Sequence, residues 1–349
     1  MKRLFIGLLI ITCGCSRKPS APGQWFPLGL FGVDDPAAVA LLSREGFNAL
    51  QSYSREPSTL HAIASAARKE RMRILVHPHE LLTSTVSTKG FPLAAWYLQD
   101  EPDVARTPPE ELAAFERKVK GWSHGAPTAF VVGRGASAER YSASGDALMV
   151  DWYPVPHRPL ESLGEQVRMT VAAANGKPVW AVLQAMDWRD YLKPPSGKPA
   201  IGRFPDILEL RFMSYHAILE GAKGLWFYTY RRPNGAVLSD APALWFALTW
   251  VVRELAVMRP ILEKGTPKPP PFANLAAGLK AKAWRYRLRD YIVIANTTSR
   301  YIECPQALFD RHWIPLFEPR RYLPELLIEM GGRHLMRPYQ ILVFRSRIF

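Results

Sequence analysis

Three carboxylates stand where apolar runs end. Asp100 and Glu101 are adjacent at the close of "AAWYLQDEPD" (94–103), and Asp151 follows the apolar half of "ALMVDWYP" (147–154). Two carboxyl groups held in different protonation states can do general acid–base work: one gives a proton while the other, ionised, activates water or attacks carbon. Glu101 and Asp151 are the candidates for such a pair. The alternatives are a structural Glu101 paired with an arginine and a supporting Asp151. Asp100 reads as a structural group or an acceptor for ligand hydroxyls. Trp152, Tyr153, Trp188, Tyr228 and Tyr230 follow apolar runs too, where a flat ring serves either as a stacking wall or as core.

Other chemistries find less support. His77 and His79 in "HPHE" have the i, i+2 spacing of two ligands on one strand face, with Glu80 beside them, but a third metal ligand is not evident. The turn after the first apolar run, "GVDDPA", lacks G-x-G-x-x-G, and no phosphate loop or G-x-S-x-G elbow occurs. No cofactor or metal is therefore expected. The formal charge of +14 is spread over short runs such as "RKER" and "EPRRY" rather than gathered in a nucleic-acid-binding module.

The carboxylates need elements to hold them, and the chain supplies a regular series. Strand-like runs at 26–33, 47–53, 73–78, 94–102, 127–133, 147–154, 177–186 and 222–230 alternate with helical patterns at 35–46, 58–72, 107–122, 160–175, 206–221 and 243–265. Asp35 reads as an N-cap, Pro36 as a first helical residue, Gly46 as a stop and Thr107 as a further cap. Eight strands with helical connections predict an α/β fold, a (β/α)8 TIM barrel over 26–265. The segment 266–271 is Pro-rich and reads as a linker. Beyond it, 272–349 predicts a small C-terminal antiparallel β-domain, sandwich-like, with strand-like runs at 279–288, 290–298, 313–323 and 339–347. In such a barrel the C-terminal strand ends carry the chemistry, which places Glu101 and Asp151 at the mouth.

The motifs "LFGV", "REGFNALQSY", "WYLQDEP", "EGAKGLWFYTY" and "RPYQILVF", in that order over most of 25–349, resemble the glycoside hydrolase TIM-barrel superfamily, in particular clan A-like enzymes. The resemblance implies a general acid/base at Glu101, ending strand four, and a carbohydrate substrate. It also implies a nucleophilic glutamate ending strand seven, where this chain has Gln184 in "AVLQAM". An amide can neither attack carbon nor activate water. Asp151 is the substitute, since some other barrel glycosidases carry a carboxylate after strand six, and Gln184 is left as a substrate-binding residue. The alternative is a non-catalytic, glycan-binding barrel of the cell envelope. An envelope scaffold is a third, weaker reading.

The first residues address location. "MKRLFIGLLIITCGCS" joins basic Lys2 and Arg3 to an apolar run too short to span a bilayer. Its "TCGC" ending resembles the lipobox of bacterial lipoproteins, with Cys15 as the lipidated residue, 1–15 as signal and 16–25 as a polar tether. A lipid anchor in the bacterial cell envelope is expected, with Ser16 favouring the outer membrane. Cys304 is the only cysteine beyond Cys13 and Cys15, so no disulfide is expected to hold the fold.

Overall fold

The computed structural model describes residues 25–191, 201–272, 274–309, 312–317 and 327–347. The expected signal, Cys15 and the tether up to residue 24 lie outside them. Eight parallel strands close into a barrel in chain order: β1 (Leu28–Leu30), β2 (Ala49–Ser52), β3 (Arg73–Val76), β4 (Leu93–Asp100), β5 (Thr128–Val132), β6 (Ala147–Trp152), β7 (Val179–Gln184) and β8 (Leu225–Tyr228). The helices between and after them are α1 (Ala38–Glu45), α2 (Pro57–Lys69), α3 (Pro109–Trp122), α4 (Ala138–Tyr141), α5 (Ser162–Ala173), α6 (Ile207–Glu220) and α7 (Pro242–Lys264).

Period-two alternation sorts the strand residues between two cores. Inside the barrel stand Phe31, Tyr97, Met149, Trp180, Val182 and Trp226. Small residues opposite them, Ala49, Ala95, Ala129 and Ala147, leave room for the indoles. Gly29 is the extreme case, because a methyl there would come within 2.1 Å of the Trp226 ring. On the outer face Leu28, Leu50, Ile74, Trp96, Leu98 and Leu183 pack under the helices. Helix ends follow local chemistry. Gly46, at φ 104°, closes α1, and Asp206 with Glu209 forms a capping box on α6.

Residues 77–92, between β3 and β4, run through turns, in line with the lack of a helical pattern there. One local expectation is corrected. Thr107 does not cap α3. Its hydroxyl instead accepts from Gln99 Nε2 at 2.6 Å, and α3 starts after Pro108.

The C-terminal part contains a five-stranded antiparallel sheet of β9 (Thr266–Lys268), β10 (Leu279–Tyr286), β11 (Arg289–Asn296), β13 (Trp313–Pro315) and β16 (Ile341–Ser346), in the order β13-β16-β11-β10-β9. A three-stranded sheet adds β12 (Ile302–Glu303), β14 (Ile328–Met330) and β15 (Arg333–Met336). Val293, Ala295, Ile341 and Val343 face the barrel helices, while Ile292, Ile294, Leu342 and Phe344 join Cys304 and Met336 in a second core. The first residues of the expected linker, Thr266–Lys268, are an edge strand paired with β10. An edge is where a strand tolerates a proline such as Pro267. Arg211 of α6 ties the parts together. It contacts both Glu254 carboxylate oxygens at 3.0 Å and donates to Ile341 O at 2.5 Å, all buried.

Candidate active site

The end of β4 is built irregularly, and that irregularity aims the acids. The pairing of β4 with β5 shifts register between Tyr97 and Asp100, a bulge that re-aims side chains. Glu101 then takes φ 42°, a left-handed conformation costly for glutamate and further disfavoured before proline. The surroundings hold it there. Val104 N and Ala105 N donate to Glu101 O at 3.1 and 2.9 Å. Asp103 Oδ1 accepts from Gly133 N at 2.9 Å, and Tyr141 OH donates to Pro102 O and Thr107 O at 3.2 and 2.8 Å.

A cleft of about 360 Å³ opens at the C-terminal ends of the strands, lined by Asp100, Glu101 and Asp151 together with aromatic rings. That volume suits a small ligand. The Glu101 and Asp151 carboxyls lie within hydrogen-bond reach of one another. They meet across Gly133, at the end of the intervening β5. A methyl at Gly133 would stand 2.6 Å from Glu101 Oε1, so glycine is what admits the carboxyl. Tyr153 hydrogen-bonds Asp151, whose Oδ1 is buried without a hydrogen-bond partner among the described residues. Asp100 opens to the cleft and accepts a short hydrogen bond from the buried Tyr97 hydroxyl.

Electrostatics follow from this crowding. Burial, then the Glu101 and Asp100 charges, push the Asp151 carboxyl well above its ordinary value. Burial, Asp100 and Asp103 raise Glu101, against a smaller opposing effect of the Asp151 hydrogen bond. Burial raises Asp100 as well. Two touching carboxyls cannot both ionise cheaply, so the pair holds a proton well above the usual carboxylate range. The single cation lining the cleft among the described residues is Arg158, whose guanidinium lies 4.3 Å above the Trp152 ring.

The aromatic expectations divide. Trp152, Tyr153, Trp188 and Tyr228 line the cleft. Tyr153 and Tyr228 stack at 5.4 Å, and Trp152 Nε1 donates to Ser162 Oγ at 2.9 Å. Tyr230 does not reach the cleft. It is buried against Trp245 in the outer core. Gln184 is corrected too. Fully buried, it accepts from Val155 N at 2.8 Å and donates to Val155 O at 2.8 Å and Met186 O at 3.2 Å. Its amide braces the loop after β6, and it is not among the residues lining the cleft. The two histidine rings lie 6.0 Å apart, His77 tilted against Tyr97 and His79 stacked on Phe115. Burial and His79 bring His77 down to about 4, and no cluster of three metal-ligating side chains occurs among the described residues.

Sequence reasoning passed over Phe31, Tyr53, Tyr191, Arg158 and Gly133, all in the lining. Phe31 and Tyr53 sit just past β1 and β2, so the strand-end rule that singled out Tyr228 applies equally to them. Asp34 holds Tyr53 in place, accepting from Ser52 Oγ, Tyr53 N and Ser54 N at 2.7, 2.9 and 3.0 Å.

No family model and no curated protein matches this chain. Solved structures do. A glycoside hydrolase family 5 protein from Bacteroides vulgatus aligns at a TM-score of 0.61 with 13% identity, over 94% of this chain and 92% of that one. A GH30 endoxylanase from Clostridium papyrosolvens gives 0.54 and 11%, over 93% and 97%. An α-amylase from Geobacillus thermoleovorans, complexed with acarbose, gives 0.55 and 11%, over 95% and 100%. At such identities the likeness is one of fold alone: this chain shares the fold of these glycoside hydrolases.

Proposed function

We propose that this protein is an exported, lipid-anchored glycoside hydrolase in which Glu101 is the general acid/base. The observation that carries the reading is the proton-holding Glu101–Asp151 pair at the mouth of the barrel, facing an aromatic-walled cleft. An acid that must protonate a leaving oxygen near neutral pH needs a raised pKa, and Glu101 has one because of burial and its acidic neighbours. The rings of Tyr53, Tyr153, Trp188 and Tyr228 offer faces for the apolar sides of sugar rings. The carbohydrate-active proteins of the same fold support the substrate class. Asp151 is in contact with Glu101 rather than across a gap. Its role in this reading is to keep and return the Glu101 proton, not to attack the sugar.

A second reading is a glycan-binding barrel without turnover. Gln184 favours it, because an amide spent on backbone groups stands where strand seven would carry a nucleophile. The experiment that separates the two is a glycan panel offered to the purified mature protein, with reducing ends and binding heats measured on the same samples. Hydrolysis abolished in Glu101→Gln supports the enzyme. Binding without hydrolysis supports the second reading, and neither response overturns both. The envelope address rests on the N-terminal sequence around Cys15, and mass spectrometry of the mature terminus tests it: an unmodified terminus or a retained Met1 removes the anchor.

A further inference from the structure

Helix α7 packs against α1, α6, β1 and β10 and leaves one stripe of its surface uncovered. Phe246, Arg253, Val257 and Lys264 are exposed along it, with the half-buried Trp250 and Pro260 between them. Successive members stand three or four residues apart, so they form one line down the helix. Phe246 is 59% exposed and Val257 54%. Phe246 meets Trp250 edge-on, with ring centroids 5.2 Å apart. Arg253, which reaches Glu45 of α1, stands midway, and Lys264 ends the helix. Large apolar groups exposed in line, rather than singly, mark a contact surface. Aromatic and aliphatic groups interleaved with cations suit a bilayer interface, where rings sit at headgroup level and cations meet anionic lipid.

The C-terminal end of α7 is also where the chain enters the fold. Phe26 N donates to Glu263 Oε1 at 3.1 Å, directly after Trp25, the first described residue. In the anchored reading, Cys15 lies ten residues before Trp25. Ten residues span at most about 33–36 Å. With its 23 residues, α7 is itself about 35 Å long. A lipid on Cys15 therefore keeps this end of α7 within about one helix length of the bilayer. The β10–β11 hairpin stands at the same end. Arg285 pairs with Thr266, just past α7, and the hairpin turns at exposed Arg287 and Leu288, the latter 74% exposed. The formal charge of +14 favours an anionic surface over a neutral one.

We infer that the exposed stripe of α7 lies on an anionic lipid surface, with Phe246, Trp250 and Val257 at headgroup depth and Arg253 and Lys264 against lipid phosphates. The inference rests on the lipid-anchored reading above and adds an orientation to it. Helix α7 runs from the end of β8, at the mouth of the barrel, back to the entry of β1. Laid flat, it sets the barrel axis along the membrane. The cleft then opens along the bilayer rather than away from it.

The test uses the full-length, lipid-anchored protein in vesicles of equal parts phosphatidylglycerol and phosphatidylethanolamine, with some of the lipid carrying a nitroxide quencher. A fluorophore is placed at Val257→Cys or, for comparison, at Met330→Cys, whose native side chain is 63% exposed at the end of β14. Cys304 is buried and stays unlabelled. Emission from position 257 should be blue-shifted and strongly quenched, with quenching at 330 at least about tenfold weaker. Phe246→Glu should remove most of the quenching at 257 while the protein still floats with the vesicles. Exchanging phosphatidylglycerol for phosphatidylcholine should weaken it. Quenching at 257 indifferent to Phe246→Glu or to lipid charge overturns the inference. Equal quenching at 257 and 330 in protein that floats overturns it too, and leaves the anchor standing. A second copy or another segment of this chain over the stripe would shield the 257 label and give that same result. Protein that fails to float denies the anchor and overturns both.

Discussion

Asp151→Asn should stabilise the protein above about pH 5, and the gain should grow with pH. A carboxyl raised in the folded state binds its proton more tightly there than in the unfolded chain. Its stabilising contribution is present below the unfolded pKa and is lost as pH rises through the folded one. Asp151 is raised by burial, then by Glu101 and Asp100, so the wild type loses stability across that window and the amide does not. Two unit charges about 4 Å apart repel by about 4 kcal/mol at an effective dielectric of about 20. Keeping one carboxyl protonated at pH 7 instead costs about 1.4 kcal/mol for each pH unit above its ordinary value of about 3.9, a similar sum. Glu101 is half-exposed, and solvent screening reduces the realised effect to about 1–3 kcal/mol. At about 2 °C per kcal/mol for a chain of this size, Tm should rise by roughly 2–6 °C at pH 7–8 and match the wild type at pH 3. Scanning calorimetry between pH 3 and 8 reads both ends. A lower Tm at pH 8, or a difference independent of pH, would refute the shared-proton pair.

Glu101→Gln should lower turnover on any cleaved glycan by about 10²–10⁴-fold with the fold intact, read by initial rates and circular dichroism. Gly133→Ala should cost activity more than stability, because the methyl 2.6 Å from Glu101 Oε1 displaces a flexible carboxyl rather than backbone; unchanged turnover would deny that Glu101 needs its place. Arg211→Met should cost about 3–5 kcal/mol in urea unfolding by leaving Glu254 buried without that cation. The double variant Arg211→Met/Glu254→Leu should recover most of the loss. Gln184→Ala should destabilise by at least about 1–3 kcal/mol, since it strands buried backbone groups of Val155 and Met186; a loss of glycan affinity with no loss of Tm would return Gln184 to the binding site.

The barrel was legible because its signals are local and repeated. Apolar runs alternated with helical patterns, one of them stopped at Gly46, and the strand count decided the architecture. What escaped has short or single-occurrence signals. Helix α4 (Ala138–Tyr141), between β5 and β6, is a single turn, too short for a helical period to show. The three-stranded sheet is made of strands two to four residues long, below the length at which alternation is visible. One clue was present. Gly331 and Gly332, at φ 57° and 74°, make the two-residue turn between β14 and β15, as a Gly-Gly pair between strand-forming residues implies. Thr266–Lys268 was hidden for the opposite reason: its proline signals a linker, and only its edge position reconciles it with a sheet.

The site was legible in its membership but not in its distances. Strand ends locate side chains to one rim of a barrel, so Asp100, Glu101, Asp151, Trp152, Tyr153 and Tyr228 could be named from the sequence. Whether two acids on neighbouring strands flank a bond or share a proton depends on one backbone dihedral angle and one missing Cβ. Glu101 stands at φ 42° before a proline, a conformation that residue preference argues against and that only the pinned loop enforces. Gly133 leaves the space into which its carboxyl turns. The strand-seven position illustrates the same limit. Gln184 announces a missing nucleophile through its residue type, yet its bonds to the loop after β6 arise from tertiary packing. The amide is a brace in its own right, so restoring a glutamate there would bury a charge against Val155 O and Met186 O instead of supplying a nucleophile. Gln184→Glu should therefore destabilise the barrel without creating or enhancing hydrolysis; enhanced turnover at unchanged Tm would show that the end of β7 faces the sugar after all.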